Sequence, residues 1–249
     1  MTRGNKMAKI ILIHGSWHWS GCFHKLEKLL KNAGHDVVAV DNASHGSDST
    51  AWDAIANMET YNTNAIDVLN KSDEPVVLVG HSMGGVSLSH LADIMPDKIS
   101  KLVYLTEFMT NTEKCANDYI MAHAENPICA PLWSVLSPVN EWAGIEIAGD
   151  KPDLVKEAFY ADCSDDDIGL SAANVVKINT SIPNIYVPKT TASHERHYIK
   201  CTNDRAIPLQ AQEEMISEFS DTKVHSLDSS HSPFYSQPDA VARIISNLA

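Results

Sequence analysis

A single serine stands between two glycines in the segment GHSMG, residues 80–84. The segment follows the apolar run VVLV and precedes a stretch with helical character. A sharp turn from a strand into a helix holds such a serine in a strained conformation and exposes its hydroxyl above the sheet. The first N–H groups of the helix also favour negative charge at that point. The pattern therefore predicts that Ser82 is a nucleophile.

A serine hydroxyl is a weak nucleophile at neutral pH, so it needs a histidine base that a carboxylate orients. Asp204 stands in the segment YIKCTNDRAIP and His231 in VHSLDSSHSPFYS, each just after a predicted strand. The chain order Ser, Asp, His is the one expected after a strand–serine–helix turn. We predict that Ser82, Asp204 and His231 form a triad. Asp228 and His225 rank behind, because they lie at the end of a predicted strand and inside it.

Attack on a carbonyl carbon creates a negatively charged oxygen, which two backbone N–H groups must hold. The first donor is expected from Met83, the residue directly after the nucleophile. The second is expected from the loop HGSWHW after the first strand, where Ser16 is the best candidate and Trp17 the next. These donors complete the machinery for acyl transfer.

The elements that must position these residues are buried strands separated by helices. Continuous apolar runs, which suit strands buried on both faces, occur in AKIILIHG, DVVAVD, PVVLVGHS and KLVYLTEF. RHYIKC and KVHSLD continue the series near the C-terminus. The alternation predicts an α/β fold, a mostly parallel sheet with helices on both faces. Ligands bind beyond the carboxyl ends of such strands, where the predicted triad stands.

The alternation stops between about residues 109 and 192, a stretch that contains six prolines. Short helices are predicted there, and we interpret the stretch as a helical cap over the active site. The whole chain, 1–249, is then one domain. The helices are expected around 113–124, 152–161 and 164–175, and the core is expected over about 9–108 and 195–249.

Aromatic residues in and beside the predicted cap are candidates for an apolar substrate pocket. A pocket of this kind suits a small apolar or aromatic substrate. The candidates are Trp17, Phe108, Trp133 and Trp142, with Tyr119 and Phe159 as further choices.

Composition narrows the partners of the chain. A net charge of -13 disfavours nucleic acid and anionic membrane surfaces. No apolar stretch approaches the roughly 20 residues of a membrane span. The five cysteines form no C-x-x-C pair, so they are expected to be reduced thiols of a cytoplasmic protein rather than disulfides or zinc ligands. A small molecule is the expected partner, and the sequence leaves a homodimer open.

Histidine pairs are the other feature that could indicate a metal. His14 and His18 are four residues apart, and His194 lies near His197. The chain contains no H-E-x-x-H pattern, and the first pair spans a junction between strand and loop. We therefore expect no catalytic metal and no cofactor.

The segments LIHGSWHWSGCFHKLEKLLKNAGHDVVAVD, VVLVGHSMGG and YIKCTNDRAIP resemble the α/β-hydrolase superfamily. They are most similar to the branch of plant methylesterases and hydroxynitrile lyases and its bacterial esterase relatives. FYADCS resembles a cap segment of the bacterial members. The resemblance implies a serine carboxylesterase without a cofactor, with Ser82, Asp204 and His231 as triad and Ser16 and Met83 as oxyanion donors.

Two departures from the lyase pattern favour the esterase. The hydroxynitrile lyases of this branch carry threonine at the position of Gly15 and lysine directly after the catalytic histidine, where this chain has Ser232. A leaving cyanide is stabilised by a nearby cation, which Ser232 does not supply. A C–C lyase of the hydroxynitrile type and a small-molecule receptor on a hydrolase fold remain the alternatives.

Overall fold

A parallel sheet forms the centre of the protein. The structure is a computed structural model, and it describes residues 7–176, 178–180 and 194–249. The strands are Lys9–Ile13 (β1), Asp36–Val40 (β2), Val76–Ser82 (β3), Ile99–Glu107 (β4), Leu136–Val139 (β5), Gly144–Ile147 (β6), Ile178–Thr180 (β7), Glu195–Cys201 (β8) and Lys223–Leu227 (β9). Six of them pair in the order β2-β1-β3-β4-β8-β9, and every pair is parallel. Their carboxyl ends therefore share one edge of the sheet. The predicted α/β fold with a mostly parallel sheet is confirmed.

Helices cover both faces of this sheet because consecutive strand residues point to opposite faces. In β1, Ile11 and Ile13 pack into one hydrophobic cluster, and Ile10 and Leu12 pack into the other. Burying one such side chain contributes about 1.5–3 kcal/mol, which explains why the strand sequences are continuous apolar runs. The helices are His24–Asn32 (α1), Met58–Tyr61 (α2), Thr63–Asn70 (α3), Gly84–Ile94 (α4), Ala116–Ala122 (α5), Ala130–Val135 (α6), Pro152–Phe159 (α7), Asp165–Asn174 (α8), Leu209–Ser217 (α9), Pro233–Ser236 (α10) and Pro238–Leu248 (α11).

None of these described helices combines the length and the apolar character needed to cross a membrane.

The stretch predicted to be a helical cap also contains strands, which corrects the purely helical expectation. Helices α5, α7 and α8 do form near the predicted ranges, but β5, β6 and β7 pair as a small antiparallel sheet. These strands have three or four residues each, and β5 contains Pro138 and leaves much of its length accessible to solvent. Strands this short carry no continuous apolar run, so the sequence pattern does not reveal them.

Glu107 is a buried carboxyl group at the end of β4, beneath the turn that joins β3 to α4. Its side chain is fully buried, and neither carboxyl oxygen has a hydrogen-bond partner among the described residues. A Cβ atom at Gly80 would lie 2.0 Å from Oε1, so this glycine makes the space that the carboxyl group occupies. Burial away from water disfavours the charged form and raises the pKa of Glu107 well above its ordinary value.

This buried acid predicts a stability that depends on pH. Above about pH 4.5 the unfolded chain releases the Glu107 proton while the folded protein keeps it, so stability falls as pH rises toward the folded pKa. Glu107→Gln removes this titration. We expect the melting temperature of the variant, relative to wild type, to increase steadily from pH 5 to pH 8 in thermal unfolding followed by circular dichroism. The exposed Glu74→Gln is the control, and a difference that is constant with pH would contradict the assignment.

Candidate active site

Ser82 lies at the carboxyl end of β3, in the turn that leads into α4. Its φ of 56° falls in the left-handed region, which a residue with a side chain adopts only at a cost. Two glycines of the turn allow other backbone segments to approach closely. A Cβ at Gly84 would lie 2.7 Å from the carbonyl oxygen of Ile13, and one at Gly85 would lie 2.2 Å from that of Phe108. The neighbouring strands thus hold the serine in its strained conformation.

Asp204 and His231 form a buried pair beyond the ends of β8 and β9. His231 Nδ1 lies 2.7 Å from Asp204 Oδ2, and both side chains are almost completely buried. The other carboxylate oxygen, Oδ1, accepts the backbone N–H groups of Ala206 (2.7 Å) and Ile207 (2.9 Å). The Thr106 hydroxyl donates to Oδ2 at 2.5 Å. A carboxylate held in this way accepts the Nδ1 hydrogen of His231 and leaves Nε2 as the basic nitrogen.

Ser82 and His231 are brought to the same edge of the sheet, yet no described hydrogen bond joins them. The backbone of His231 is held by His81, whose ring donates from Nε2 to the His231 carbonyl oxygen at 2.8 Å. This contact helps to place the His231 imidazole. In enzymes without substrate, the contact between nucleophile and base is often long and shortens when substrate binds. The triad assignment therefore stays a prediction.

The competing residues lie in other surroundings. Asp228 accepts a hydrogen bond from Asn203 at 2.5 Å on the exposed side of its loop. His225 lies in β9, where its Nε2 is 3.2 Å from His197 Nδ1. Neither competitor contacts Asp204 or His231 through a described hydrogen bond.

The predicted oxyanion donors lie on two segments that meet at Ser82. A Cβ at Gly15 would lie 2.6 Å from Ser82 Cβ, so the loop after β1 passes directly beside the nucleophile. The backbone N–H groups of Ser16 and Met83 take no part in the described hydrogen bonds, and both residues line the cavity that Ser82 also lines. Trp17 has a φ of 61°, and its carbonyl oxygen accepts the N–H of Val176 at 2.9 Å.

A buried histidine fixes this oxyanion loop. His18 donates from Nδ1 to the carbonyl oxygen of Ser16 at 2.9 Å, and its Nε2 lies 2.8 Å from the Tyr160 hydroxyl. Burial lowers the pKa of His18 to about 4, so the ring is neutral at physiological pH and Tyr160 must be the donor. Tyr160 follows α7 directly, so the region predicted as the cap helps to place the Ser16 N–H.

A second neutral histidine, His14, also contacts the oxyanion loop. His14 Nδ1 lies 2.8 Å from the Gly15 carbonyl oxygen, and its Nε2 accepts the N–H of Asn42 at 3.1 Å. Burial lowers the pKa of His14 to about 3. Both ring nitrogens of His14 therefore take part in hydrogen bonds to the backbone, which fits a structural role for this residue.

The segment after α7 also holds the loop that carries His231. Asp162 accepts the Ser230 N–H at 3.0 Å and the Ser229 hydroxyl at 3.1 Å, and it contacts the Ser230 hydroxyl. Glu157 of α7 pairs with Arg205, which follows Asp204. Both the acid loop and the histidine loop are therefore tied to the region between the core strands.

A cavity of about 140 Å³ opens beside Ser82 and is lined mainly by apolar side chains. The four aromatic residues that the sequence analysis names first as pocket candidates all line it: Trp17, Phe108, Trp133 and Trp142. Phe159 lines it as well. Tyr119 does not line it, because its side chain is buried on α5 and its hydroxyl donates to Glu218 at 2.5 Å. Further apolar lining residues that the sequence did not single out are Ile120, Met121, Leu132, Leu136, Ile145 and Ile207.

Sequence reasoning also missed polar residues that surround the site. Thr106 orients Asp204, Tyr160 orients His18, and Asn179 donates to the Ser16 hydroxyl. The only sequence signal was at Thr106, since a polar Thr-Glu pair ends the apolar run of β4. Nothing in their sequence surroundings distinguishes Tyr160 and Asn179 from other polar residues.

In the part of the chain that the structure describes, no group of three histidine, cysteine or acidic side chains could hold a metal ion. All five cysteines are free thiols.

Solved structures share the whole architecture. A crystal structure of a pyrethroid hydrolase from Sphingobium faniae superposes with a TM-score of 0.88 at 26% identity, covering 98% of this chain and 97% of that one. The match extends over core and intervening region alike.

Curated relatives have similar coverage. Methylesterase 7 of Arabidopsis thaliana is 28% identical over 98% of this chain and 97% of its own length. An alpha-hydroxynitrile lyase of the same plant is 27% identical over 96% of both chains. These relatives confirm the resemblance to the methylesterase and hydroxynitrile lyase branch. The alpha/beta hydrolase family matches residues 10–244, and the chain therefore belongs to that family.

Proposed function

We propose that this protein is a serine carboxylesterase that hydrolyses small apolar or aromatic esters. The observation that carries the proposal is the buried pair of Asp204 and His231, which lies at the same sheet edge as the strained Ser82 and its apolar cavity. Similarity to proteins named methylesterase and pyrethroid hydrolase supports the same reaction class.

In the proposed mechanism, Ser82 Oγ attacks the ester carbonyl carbon while His231 Nε2 takes its proton. Asp204 keeps the Nδ1 hydrogen in place and stabilises the imidazolium. The N–H groups of Met83 and Ser16 hold the developing oxyanion. His231 then returns the proton to the leaving alcohol, and water activated by the same nitrogen releases the acid from the acyl-enzyme.

The cavity supports a small apolar group on the ester. Its lining is mostly aromatic and aliphatic, and residues of the region about 109–192 supply much of it, including Leu132, Trp133 and Ile145. We propose that this region is a cap and that it determines which ester fits. Free thiols agree with the expectation of a reducing, cytoplasmic location.

The lyase alternative is disfavoured at two positions. The backbone leaves no room for a side chain at Gly15, since its Cβ would lie 2.6 Å from Ser82 Cβ. Ser232, the residue after His231, is fully buried and uncharged, so it offers no cation for a leaving cyanide. The receptor alternative predicts binding with little or no turnover.

A series of p-nitrophenyl esters from C2 to C8 tests the proposal. We expect turnover of the short esters. The value of kcat/KM should fall once the acyl chain is longer than the cavity, because bulky side chains line the cavity and limit its length. Mandelonitrile serves as the parallel substrate for lyase activity. Release of cyanide, or a folded protein that hydrolyses no ester in the series, would contradict the esterase assignment.

A further inference from the structure

The Ser16 side chain is polar and buried beside the nucleophile, although the proposed role of Ser16 as an oxyanion donor needs only its backbone N–H. Ser16 is only 6% exposed and lines the cavity together with Ser82. Its Oγ accepts a hydrogen bond from Asn179 Nδ2 at 2.9 Å. Asn179, which is 3% exposed, belongs to β7 and lines the same cavity. Two buried polar side chains thus meet beside the nucleophile in a mainly apolar pocket.

The direction of this hydrogen bond agrees with a second contact of the same amide group. Asn179 Nδ2 also donates to the carbonyl oxygen of Thr180 at 3.3 Å. If the amide were reversed, Oδ1 would face that carbonyl oxygen, and two acceptors would be in contact. In this arrangement Asn179 Nδ2 is the donor and Ser16 Oγ the acceptor.

The hydroxyl hydrogen of Ser16 is consequently available. A serine hydroxyl has one hydrogen to donate, and in the described part of the chain Ser16 Oγ donates it to no acceptor. A carbonyl oxygen that enters the cavity with the substrate is an acceptor for this hydrogen. Asn179 occupies one lone pair of Oγ and thereby restricts where the hydrogen can point.

We propose that the Ser16 hydroxyl is a catalytic group, a third donor to the oxyanion beside the N–H groups of Ser16 and Met83. Asn179 is its positioning residue. The inference rests on the proposed function, because it requires attack by Ser82 on a carbonyl. The carbonyl oxygen gains negative charge in the transition state, so a hydrogen bond from this hydroxyl strengthens there and raises kcat.

Ser16→Ala tests the proposal because it removes the hydroxyl and keeps the backbone N–H. We expect kcat to fall about 10- to 100-fold, less than or similar to the loss of one main oxyanion donor. KM should stay within about twofold, since the interaction belongs to the transition state. A trifluoromethyl ketone, which forms a tetrahedral adduct with the nucleophile, should bind more weakly by the same factor as kcat falls.

Ser87→Ala is the matched control. Ser87 also has a buried hydroxyl without a described partner, but it lies inside α4 and does not line the cavity. This variant should keep wild-type kcat and inhibitor affinity. Ser16→Cys retains the size of the side chain with a much weaker donor, and we expect a loss of the same order, so the test does not depend on whether the alanine variant folds.

A double-mutant cycle tests the role of Asn179. Asn179→Leu should lower kcat by a smaller factor than Ser16→Ala, because the hydroxyl remains but is no longer oriented. In the Ser16→Ala background the same change should have almost no further effect. Additive losses would show that Asn179 acts independently of Ser16.

Two failures can be told apart. Wild-type kcat and inhibitor affinity in folded Ser16→Ala would overturn this inference while ester hydrolysis stands. A folded wild-type protein that hydrolyses no ester would overturn the proposed function and this inference with it.

Discussion

Ser82→Ala should leave a folded protein whose kcat for ester hydrolysis is reduced by about 10⁵- to 10⁶-fold. The change removes one oxygen atom, the attacking Oγ. That atom forms no described hydrogen bond within the protein, so its removal leaves no buried partner unpaired. The strained backbone at φ 56° is equally unfavourable for alanine, and the packing of the surrounding turn is unchanged. The loss should therefore be chemical rather than structural.

The measurement is kcat on the best ester of the p-nitrophenyl series, together with labelling by a fluorophosphonate that reacts with activated serines. Wild type should label at one site, and Ser82→Ala should not label. Ser87→Ala again serves as the control, since it deletes a buried serine hydroxyl on α4. Substantial turnover by a folded, unlabelled Ser82→Ala protein would contradict the assignment of Ser82 as the nucleophile.

Asp204→Asn should lower kcat by about 10⁴-fold without a large change in KM. The asparagine oxygen must stay with the backbone N–H groups of Ala206 and Ile207, which can only donate. The amide nitrogen then faces His231 Nδ1. To avoid opposing hydrogens, the imidazole shifts its proton to Nε2, the nitrogen that must accept the proton of Ser82. The base is thus lost although the geometry is preserved.

Asp228→Asn is the matched control, because Asp228 is the competing acid at the end of β9 and bonds to Asn203 instead. It should retain nearly wild-type kcat. The imidazole N–H resonance of His231 in proton NMR reports the tautomer directly and should move in Asp204→Asn only. If Asp228→Asn caused the larger loss, the acid would have to be reassigned.

The sheet was predictable because its signal is local. Strands β1 and β3 bury both faces, so residues such as Ile10 to Ile13 form an uninterrupted apolar run whose burial outweighs any alternating pattern. Asp204 and His231 could be assigned to the same edge because each follows a predicted strand, RHYIKC and KVHSLD, in the alternating series. Strands β5 to β7 were missed because each has only three or four residues and is stabilised by pairing rather than by an apolar run.

The contacts that orient the site are long-range, and for that reason the sequence does not reveal them. Thr106 is 98 positions from Asp204, His18 is 142 from Tyr160 and Ser16 is 163 from Asn179. The pairs of His18 and Ser16 depend on how the region between β4 and β8 folds back over the core, whereas the pair of Thr106 and Asp204 depends on the pairing of β4 with β8. A polar residue without a motif gives no sign of its partner, so the nucleophile and base were predicted while their supports were not.

The close approach of Gly15 to Ser82 has a consequence for how this protein can evolve. Changes among the residues that enclose the cavity leave the backbone at the nucleophile untouched, so preference for one ester over another can drift by single substitutions. A change of reaction through a side chain at position 15 is different, because that side chain would overlap Ser82 Cβ unless the two loops first moved apart. New substrates are therefore accessible in small steps, whereas new chemistry at this position requires a prior shift of the backbone.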